Sequence, residues 1–125
     1  MGELFTLPAG ARKAPRYRVF PIEGDYMEPR LKGWLDHVLV VPTTRFLIEG
    51  LYLMDLGDGV EGVRVVGHAD GGRDYRVSYG NPKYSSHVLT RVEFQREVLG
   101  FVVGELKMQL TPGQVDAYLN GSRAA

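Results

Sequence analysis

Serine, lysine and histidine are the side chains through which this chain could carry out nucleophilic chemistry, because it contains no cysteine. Ser85-Ser86-His87 places hydroxyls next to an imidazole, but adjacent residues rarely present both groups to one substrate. A Ser–Lys peptidase would instead need Ser78, Ser85, Ser86 or a threonine to face a deprotonated lysine. Lys83 is the lysine nearest to these serines, and it falls in a predicted loop. The sequence therefore contains no strong arrangement of nucleophile and base.

Metal, phosphate and nucleic-acid chemistry is equally poorly supported. His37, His68 and His87 are scattered without the spacing of metal ligands, so we expect no metal and no cofactor. The segments Gly57-Asp58-Gly59 and Asp70-Gly71-Gly72 do not open a helix after a strand, as a phosphate loop must, and are interpreted as hairpin turns. With 15 basic and 15 acidic residues the net charge is zero, which argues against a nucleic-acid surface.

One short motif carries a more specific signal. A strand pattern over residues 16–22 leads into Gly24-Asp25-Tyr26-Met27-Glu28-Pro29. This hexapeptide resembles the Gly-Asp-Ser-Met-x-Pro motif of the LexA-like family of self-cleaving repressors and UmuD-type proteins. In that family the Ser is the nucleophile and a distant Lys is its base. Tyr26 occupies the Ser position of the motif.

The resemblance continues in order along residues 16–108. Val63-Arg64-Val65-Val66 is similar to the family's Val-Lys-Arg-Val strand, which aligns Arg64 with the catalytic Lys. Asn81-Pro82-Lys83-Tyr84 is similar to the family's Asn-Pro-x-Tyr stretch, and residues 98–104 resemble its closing strand. The resemblance implies a groove whose residues in this chain are Asp25, Tyr26, Met27, Pro29, Arg64, Asn81 and Pro82.

The two aligned positions imply that the peptidase chemistry is lost, so we expect no enzyme activity. A Tyr26 phenol oxygen lies farther from the backbone than a Ser oxygen and would overshoot the target carbonyl. Arg64 cannot act as a base because guanidinium stays protonated in proteins. Tyr26 either fills the vacated groove or plugs it, and Arg64 either faces solvent and carboxylates or stacks on Tyr26. The pair Ala9-Gly10 matches the family's cleavage dipeptide but lies too near Tyr26, so we interpret it as part of an arm.

The elements that would position these residues are predicted to be mostly β. Glycine and proline punctuate β-rich runs at short intervals, which is typical of twisted antiparallel sheets. Asp58-Gly59 predicts the turn of a hairpin formed by 51–56 and 60–66. Thr111-Pro112 predicts the N-cap and first residue of a short C-terminal helix. We expect a flexible N-terminal arm at 1–15, a LexA-like β domain at 16–110, and a short helix and tail at 111–125.

The resemblance implies an oligomerisation or regulatory module of a phage or mobile-element repressor. Partners would be a second copy and an antirepressor or host regulatory protein, with DNA bound only through an N-terminal domain missing from this sequence. The alternative is a stand-alone binding protein that holds a protein segment in the groove, and a residual self-cleaving peptidase is the third hypothesis. Without a long apolar run or a signal pattern, we expect a cytoplasmic protein that does not enter a membrane. Because the family dimerises through C-terminal strands, the predicted interface comprises Leu99, Phe101, Val103, Glu105 and Lys107.

Overall fold

The computed structural model describes residues 16–121, which form one seven-stranded antiparallel sheet. Two short helices accompany the sheet: α1 (Arg91–Glu97) precedes the last strand, and α2 (Pro112–Asp116) leads into a π-helical turn at Ala117–Gly121. The mostly β fold with a short C-terminal helix is therefore confirmed. The predicted arm at 1–15, with Ala9-Gly10, and the end of the tail at 122–125 lie outside the described residues. The strands are β1 (Arg18–Pro21), β2 (His37–Pro42), β3 (Gly50–Gly57), β4 (Val60–His68), β5 (Tyr75–Ser78), β6 (His87–Leu89) and β7 (Val98–Leu106), and they lie in the order β1-β2-β7-β3-β4-β5-β6.

The β3–β4 hairpin forms at the predicted turn. Asp58 and Gly59 have φ angles of 53° and 77°, so two consecutive residues adopt the left-handed conformation that such tight hairpins require. Aspartate and glycine tolerate this conformation better than most residues do. The hairpin places Arg64 opposite Tyr52 in the register of the two strands.

The sheet buries a separate core on each face. Side chains alternate between the two faces along β3, so Leu51 and Leu53 enter one core while Tyr52 and Met54 enter the other. Segment 22–31 packs on the first face and contributes its own buried side chains there. The first core is aliphatic and comprises Ile22, Met27, Leu31, Val38, Val40, Leu51, Leu53, Val63 and Val102; the second comprises Tyr52, Met54, Val66, Tyr75, Val77, Leu89, Phe94 and Val98.

Helix α1, which the sequence analysis did not predict, covers the second face. Thr90 and Glu93 form a capping box, in which each side chain accepts a hydrogen bond from the other residue's backbone N–H. The helix buries Phe94 completely, and the Phe94 ring packs edge-on against Tyr52 with centroids 5.4 Å apart. Phe94 is the buried side chain through which this short helix packs on the sheet.

Strand β7 lies inside the sheet, between β2 and β3. The first half of the strand, which carries Leu99 and Phe101 of the predicted interface, therefore has strand neighbours on both sides and offers no free edge. Pairing with β3 ends at Phe101, whereas pairing with β2 continues to Leu106. The second half of β7 thus has a strand neighbour on one side within the described residues.

The five predicted interface residues do not share one face of β7. Register shifts against both neighbouring strands interrupt the alternation of side chains. The Phe101 ring packs against Tyr52 with centroids 4.9 Å apart, while Glu105 accepts a 2.7 Å hydrogen bond from Arg30. Leu99 packs against the aliphatic core, and Val103 and Lys107 are exposed.

Candidate functional site

Tyr26 and Arg64, which the motif resemblance predicted to align with a nucleophile and its base, lie in contact. The Arg64 guanidinium carbon is 5.2 Å from the centroid of the Tyr26 ring and 4.3 Å from that of Tyr79. Tyr84 completes the group, with its ring centroid 4.8 Å from Tyr26 and 5.1 Å from Tyr79. These four residues form what we call the tyrosine–arginine cluster. Of the two alternatives for Arg64, stacking on Tyr26 is the one observed.

Two loops hold Tyr26 in this cluster. The Asn81 backbone N–H donates to the Tyr26 carbonyl at 2.9 Å, and the Asn81 side-chain amide donates to the Asp25 carbonyl at 3.0 Å. The backbone of Gly33 also packs closely against the motif, since a Cβ at Gly33 would lie 1.8 Å from the Gly24 carbonyl oxygen. The motif and the Asn81 loop, which are distant in sequence, are therefore joined by direct hydrogen bonds.

Asp25 anchors a second set of contacts at the same place. It forms an ion pair of 2.8 Å with Lys83 and accepts a 2.5 Å hydrogen bond from the Tyr84 hydroxyl. The bond from Lys83 and then that from Tyr84 lower the pKa of Asp25, while the bond to Asp25 raises the pKa of Lys83. The bond to Asp25 likewise raises the pKa of Tyr84. The geometry thus stabilises Lys83 in its protonated form, in which it is not a base.

The serines considered for a Ser–Lys pair have other surroundings. Ser86 accepts a 3.1 Å hydrogen bond from Arg76, whereas the Lys83 ammonium group is bound to Asp25. Ser78 lies on β5, where it pairs with Val65 in the sheet. Ser86 and Lys83 therefore each bind another group rather than one another.

Arg64 is buried to an unusual degree for a charged residue, with 6% of its surface exposed. Its Nη1 donates a 2.8 Å hydrogen bond to the carbonyl of Val63, the preceding residue on β4. Within residues 16–121, no carboxylate forms an ion pair with it. Tyr26, by contrast, is 40% exposed, so its ring lies between the buried guanidinium and solvent.

A cleft of about 140 Å³ opens beside the cluster, between β1 and the β3–β4 hairpin. An ion pair of 2.6 Å between Arg18 and Glu61 joins the two sides of this gap. Strand β4 pairs with β5 only from Val65 to His68, so residues 60–64 have no strand partner on the side away from β3 within the described chain. The cleft is lined by Phe20, Ile22, Glu23, Tyr26, Met27, Leu56, Val60, Glu61, Gly62, Val63 and Arg64.

Most of the predicted groove residues meet at this site. Asp25, Tyr26, Met27, Arg64 and Asn81 are brought together, with Met27 buried and its sulfur accepting from the backbone N–H of Gly80 at 3.4 Å. Pro29 and Pro82 belong to the same two segments and are exposed. The sequence predicted no site role for Tyr79 or Tyr84, and it offered Lys83 only as a possible base for the nearby serines. The similarity of 81–84 to Asn-Pro-x-Tyr was the signal that could have drawn the last two into the site.

Comparisons with known proteins add no assignment to this geometry. No protein-family model and no curated protein matches the chain. Among residues 16–121, no group of three or more His, Cys, Asp and Glu side chains is arranged to hold a metal ion. In the described part of the chain, no helix is long and apolar enough to span a membrane.

Proposed function

We propose that this chain is a non-catalytic LexA-like domain whose cleft holds an extended segment of another protein. The contact between Tyr26 and Arg64 is the observation that carries this proposal. Two positions chosen only by their alignment with a nucleophile and its base lie side by side, with the guanidinium carbon 5.2 Å from the ring centroid. A phenol stacked on a guanidinium cannot reproduce an alkyl hydroxyl next to a deprotonated amine.

The binding role is supported by the free edge of β4. An extended peptide can add to an unpaired strand through main-chain hydrogen bonds, while side-chain pockets next to that strand select its residues. Residues 60–64 offer such an edge, and the aliphatic lining of the cleft offers such a pocket. By the family resemblance, the bound segment would come from an antirepressor or a host regulatory protein, and the domain would act in transcription regulation.

Peptide selection tests this role directly. Peptides enriched from a random display library on the wild-type chain should lose at least about tenfold in affinity for Gly62→Leu, because the new side chain enters the cleft. A Cβ at Gly62 alone would lie 2.7 Å from Leu56 Cδ1. The matched control is Gly113→Leu on the exposed helix α2, where binding should be unchanged. Failure to enrich any peptide, or equal affinity for both variants, would contradict the proposal.

The non-catalytic part of the proposal has its own measurement. Selected peptides and the chain itself should keep their intact masses after prolonged incubation at neutral and alkaline pH, since alkaline conditions favour a lysine base. Mass spectrometry resolves a single cut. A cleavage product that forms at a rate independent of added protease inhibitors, and disappears in Tyr26→Phe, would show that the domain is a peptidase after all.

Self-assembly is a second candidate, favoured by the outer half of β7. Residues 102–106 pair with β2 alone within the described chain, and Val103, Leu106 and Met108 are 48%, 41% and 44% exposed. Pairing with a second copy would cover these apolar side chains and the free strand edge. Light scattering over a concentration series should show a dimer that Val103→Lys weakens and Val92→Lys, on α1, leaves intact. A monomer at every concentration would exclude this candidate.

A further inference from the structure

We propose that the cleft recognises a carboxylate, with Arg64 binding the C-terminal carboxylate of a peptide whose last side chain is apolar. This inference rests on the proposed function, because it names the chemistry of the segment that the cleft would hold. It differs from peptide binding in general, because it requires one particular charged end group at one particular residue.

The electrostatic state of Arg64 supplies the first argument. A guanidinium group has five N–H donors, and a buried cation is costly unless it is paired and hydrogen-bonded. Arg64 is 6% exposed, yet its one hydrogen bond within residues 16–121 is to the Val63 carbonyl. Stacking of the guanidinium on the Tyr26 and Tyr79 rings offsets part of the cost of burying it but supplies no anion. A ligand carboxylate would supply the missing counter-charge through charge-assisted, bidentate hydrogen bonds.

The shape of the cleft supplies the second argument. The cleft has a volume of about 140 Å³. Aliphatic and aromatic side chains line much of it, and Arg64 is also among its lining residues. Gly62 keeps the space next to the guanidinium open, since a Cβ there would lie 3.0 Å from Arg64 Nη1. An apolar terminal side chain can therefore pack against Phe20, Ile22 and Val63 while the carboxylate next to it reaches Arg64.

The acidic side chains of the cleft do not neutralise the charge of Arg64. Among the described residues that line it, Arg64 is the one cation, and Glu23 and Glu61 are the acids. Glu61 is already paired with Arg18 at 2.6 Å. Glu23 is exposed, so water and salt screen its charge more strongly than that of the buried guanidinium. Among these described lining residues, Arg64 is therefore a mostly buried cation that no carboxylate of the cleft pairs with.

Two peptides that differ only in their last group test the proposal. Acetyl-Ala-Ala-Leu with a free carboxylate and the same peptide with a C-terminal amide are titrated into the ¹⁵N-labelled full chain and followed by NMR. The carboxylate form should bind at least about tenfold more tightly and should shift the Arg64 Nε–Hε signal. Arg64→Met should erase the difference between the peptides, whereas Arg45→Met, at an exposed loop arginine, should preserve it. Arg64→Lys, which keeps the charge but loses the planar fork, should show a reduced preference and serves if Arg64→Met does not fold.

The outcomes separate this inference from the proposed function. Equal binding of both peptides, with shifts at residues 60–64, would overturn carboxylate recognition and leave peptide binding intact. A carboxylate preference that survives in Arg64→Met would also overturn recognition by Arg64. Hexanoate binding as tightly as the peptide with the free carboxylate would overturn recognition of a peptide C-terminus, because the ligand would then be a free acid. If neither peptide binds while display-selected peptides do, carboxylate recognition fails alone; if no peptide of either kind binds, both proposals fail.

Discussion

Asp36 is the residue whose replacement should reveal most about how the site is held in place. It is 3% exposed and accepts hydrogen bonds from the backbone N–H groups of Lys32 at 2.8 Å and Met108 at 3.1 Å. The Lys107 ammonium group lies 3.4 Å from the same carboxylate. One side chain thus ties the turn that follows the motif to the segment that leaves β7.

The substitution Asp36→Asn changes this arrangement in a calculable way. The Asn side chain has a single acceptor oxygen, which can bind only one of the two backbone N–H groups. Its NH₂ group then faces the other N–H, which is left without an acceptor. Both bonds are part-buried. An N–H that loses its partner there costs about 1–3 kcal/mol, and loss of charge weakens the surviving bond by about 1 kcal/mol. We therefore expect the free energy of unfolding to fall by about 2–4 kcal/mol.

Urea denaturation followed by circular dichroism measures this change. Asp70→Asn, at an exposed turn residue, is the control and should change the free energy of unfolding by less than about 0.5 kcal/mol. A loss below about 1 kcal/mol for Asp36→Asn would show that the carboxylate is hydrated and that its two backbone bonds do little. Such a small loss would exclude a structural role for the Asp36 carboxylate in joining these two segments.

The pH dependence provides an independent check on the same residue. Burial alone would raise the pKa of Asp36, but the bonds from Lys32 and Met108 and the charge of Lys107 outweigh it and lower the pKa below the ordinary 3.8. A lowered folded-state pKa means that the stabilisation is complete above pH 3.8 and is lost as the pH falls through the folded-state value. The difference in stability between wild type and Asp36→Asn should therefore shrink below pH 3.8. A difference that stays constant through this range would contradict the lowered pKa.

Three further substitutions probe the packing of the sheet and the loop that precedes β3. Gly100→Ala should lower the free energy of unfolding in urea by about 1–3 kcal/mol, because its Cβ would lie 2.3 Å from a Val40 methyl carbon. Gly104→Ala on the same strand is the control. Its Cβ has its nearest neighbour at 3.6 Å, so its free energy of unfolding should stay within about 0.5 kcal/mol of wild type. Equal losses at the two glycines would refute the close-packing argument. Tyr52→Phe removes three hydrogen bonds between its hydroxyl and the backbone of 47–48, so we expect a loss of about 1–3 kcal/mol and faster amide exchange at those residues. Unchanged exchange there would show that the loop is held by other contacts.

Local signals in the sequence predicted the elements that they specify directly. Asp58-Gly59 predicted a hairpin turn, and Thr111-Pro112 predicted the start of α2, because both signals act on the backbone of their own residues. Helix α1 was missed although Thr90 and Glu93 carry a capping box. Its seven residues bury a single side chain, so no apolar periodicity announces it.

The site was predictable only in part. The order of the motifs along the chain predicted that Tyr26 and Arg64 belong to one site, and in the structure they are in contact. Their stacking and the ion pair of Asp25 with Lys83 depend on how two distant loops meet, and the spacing of residues along the chain does not encode that. The position of β7 was likewise missed, because strand order in a sheet is set by long-range pairing.

Strand β3 is buried on both faces over residues 51–54, and this has a consequence for how the chain finds its register. In most strands, a slip of one residue turns apolar side chains towards water, and that penalty fixes the pairing. A slip here would exchange Leu51 and Leu53 for Tyr52 and Met54, one apolar set for another. Burial alone therefore does not fix the register of β3. The tight turn at Asp58-Gly59 sets its pairing with β4, and the Tyr52 hydroxyl, which binds the backbone at 47–48, favours the face on which Tyr52 meets Phe94. The Tyr52 hydroxyl thus favours the observed register of β3 in the middle of the sheet.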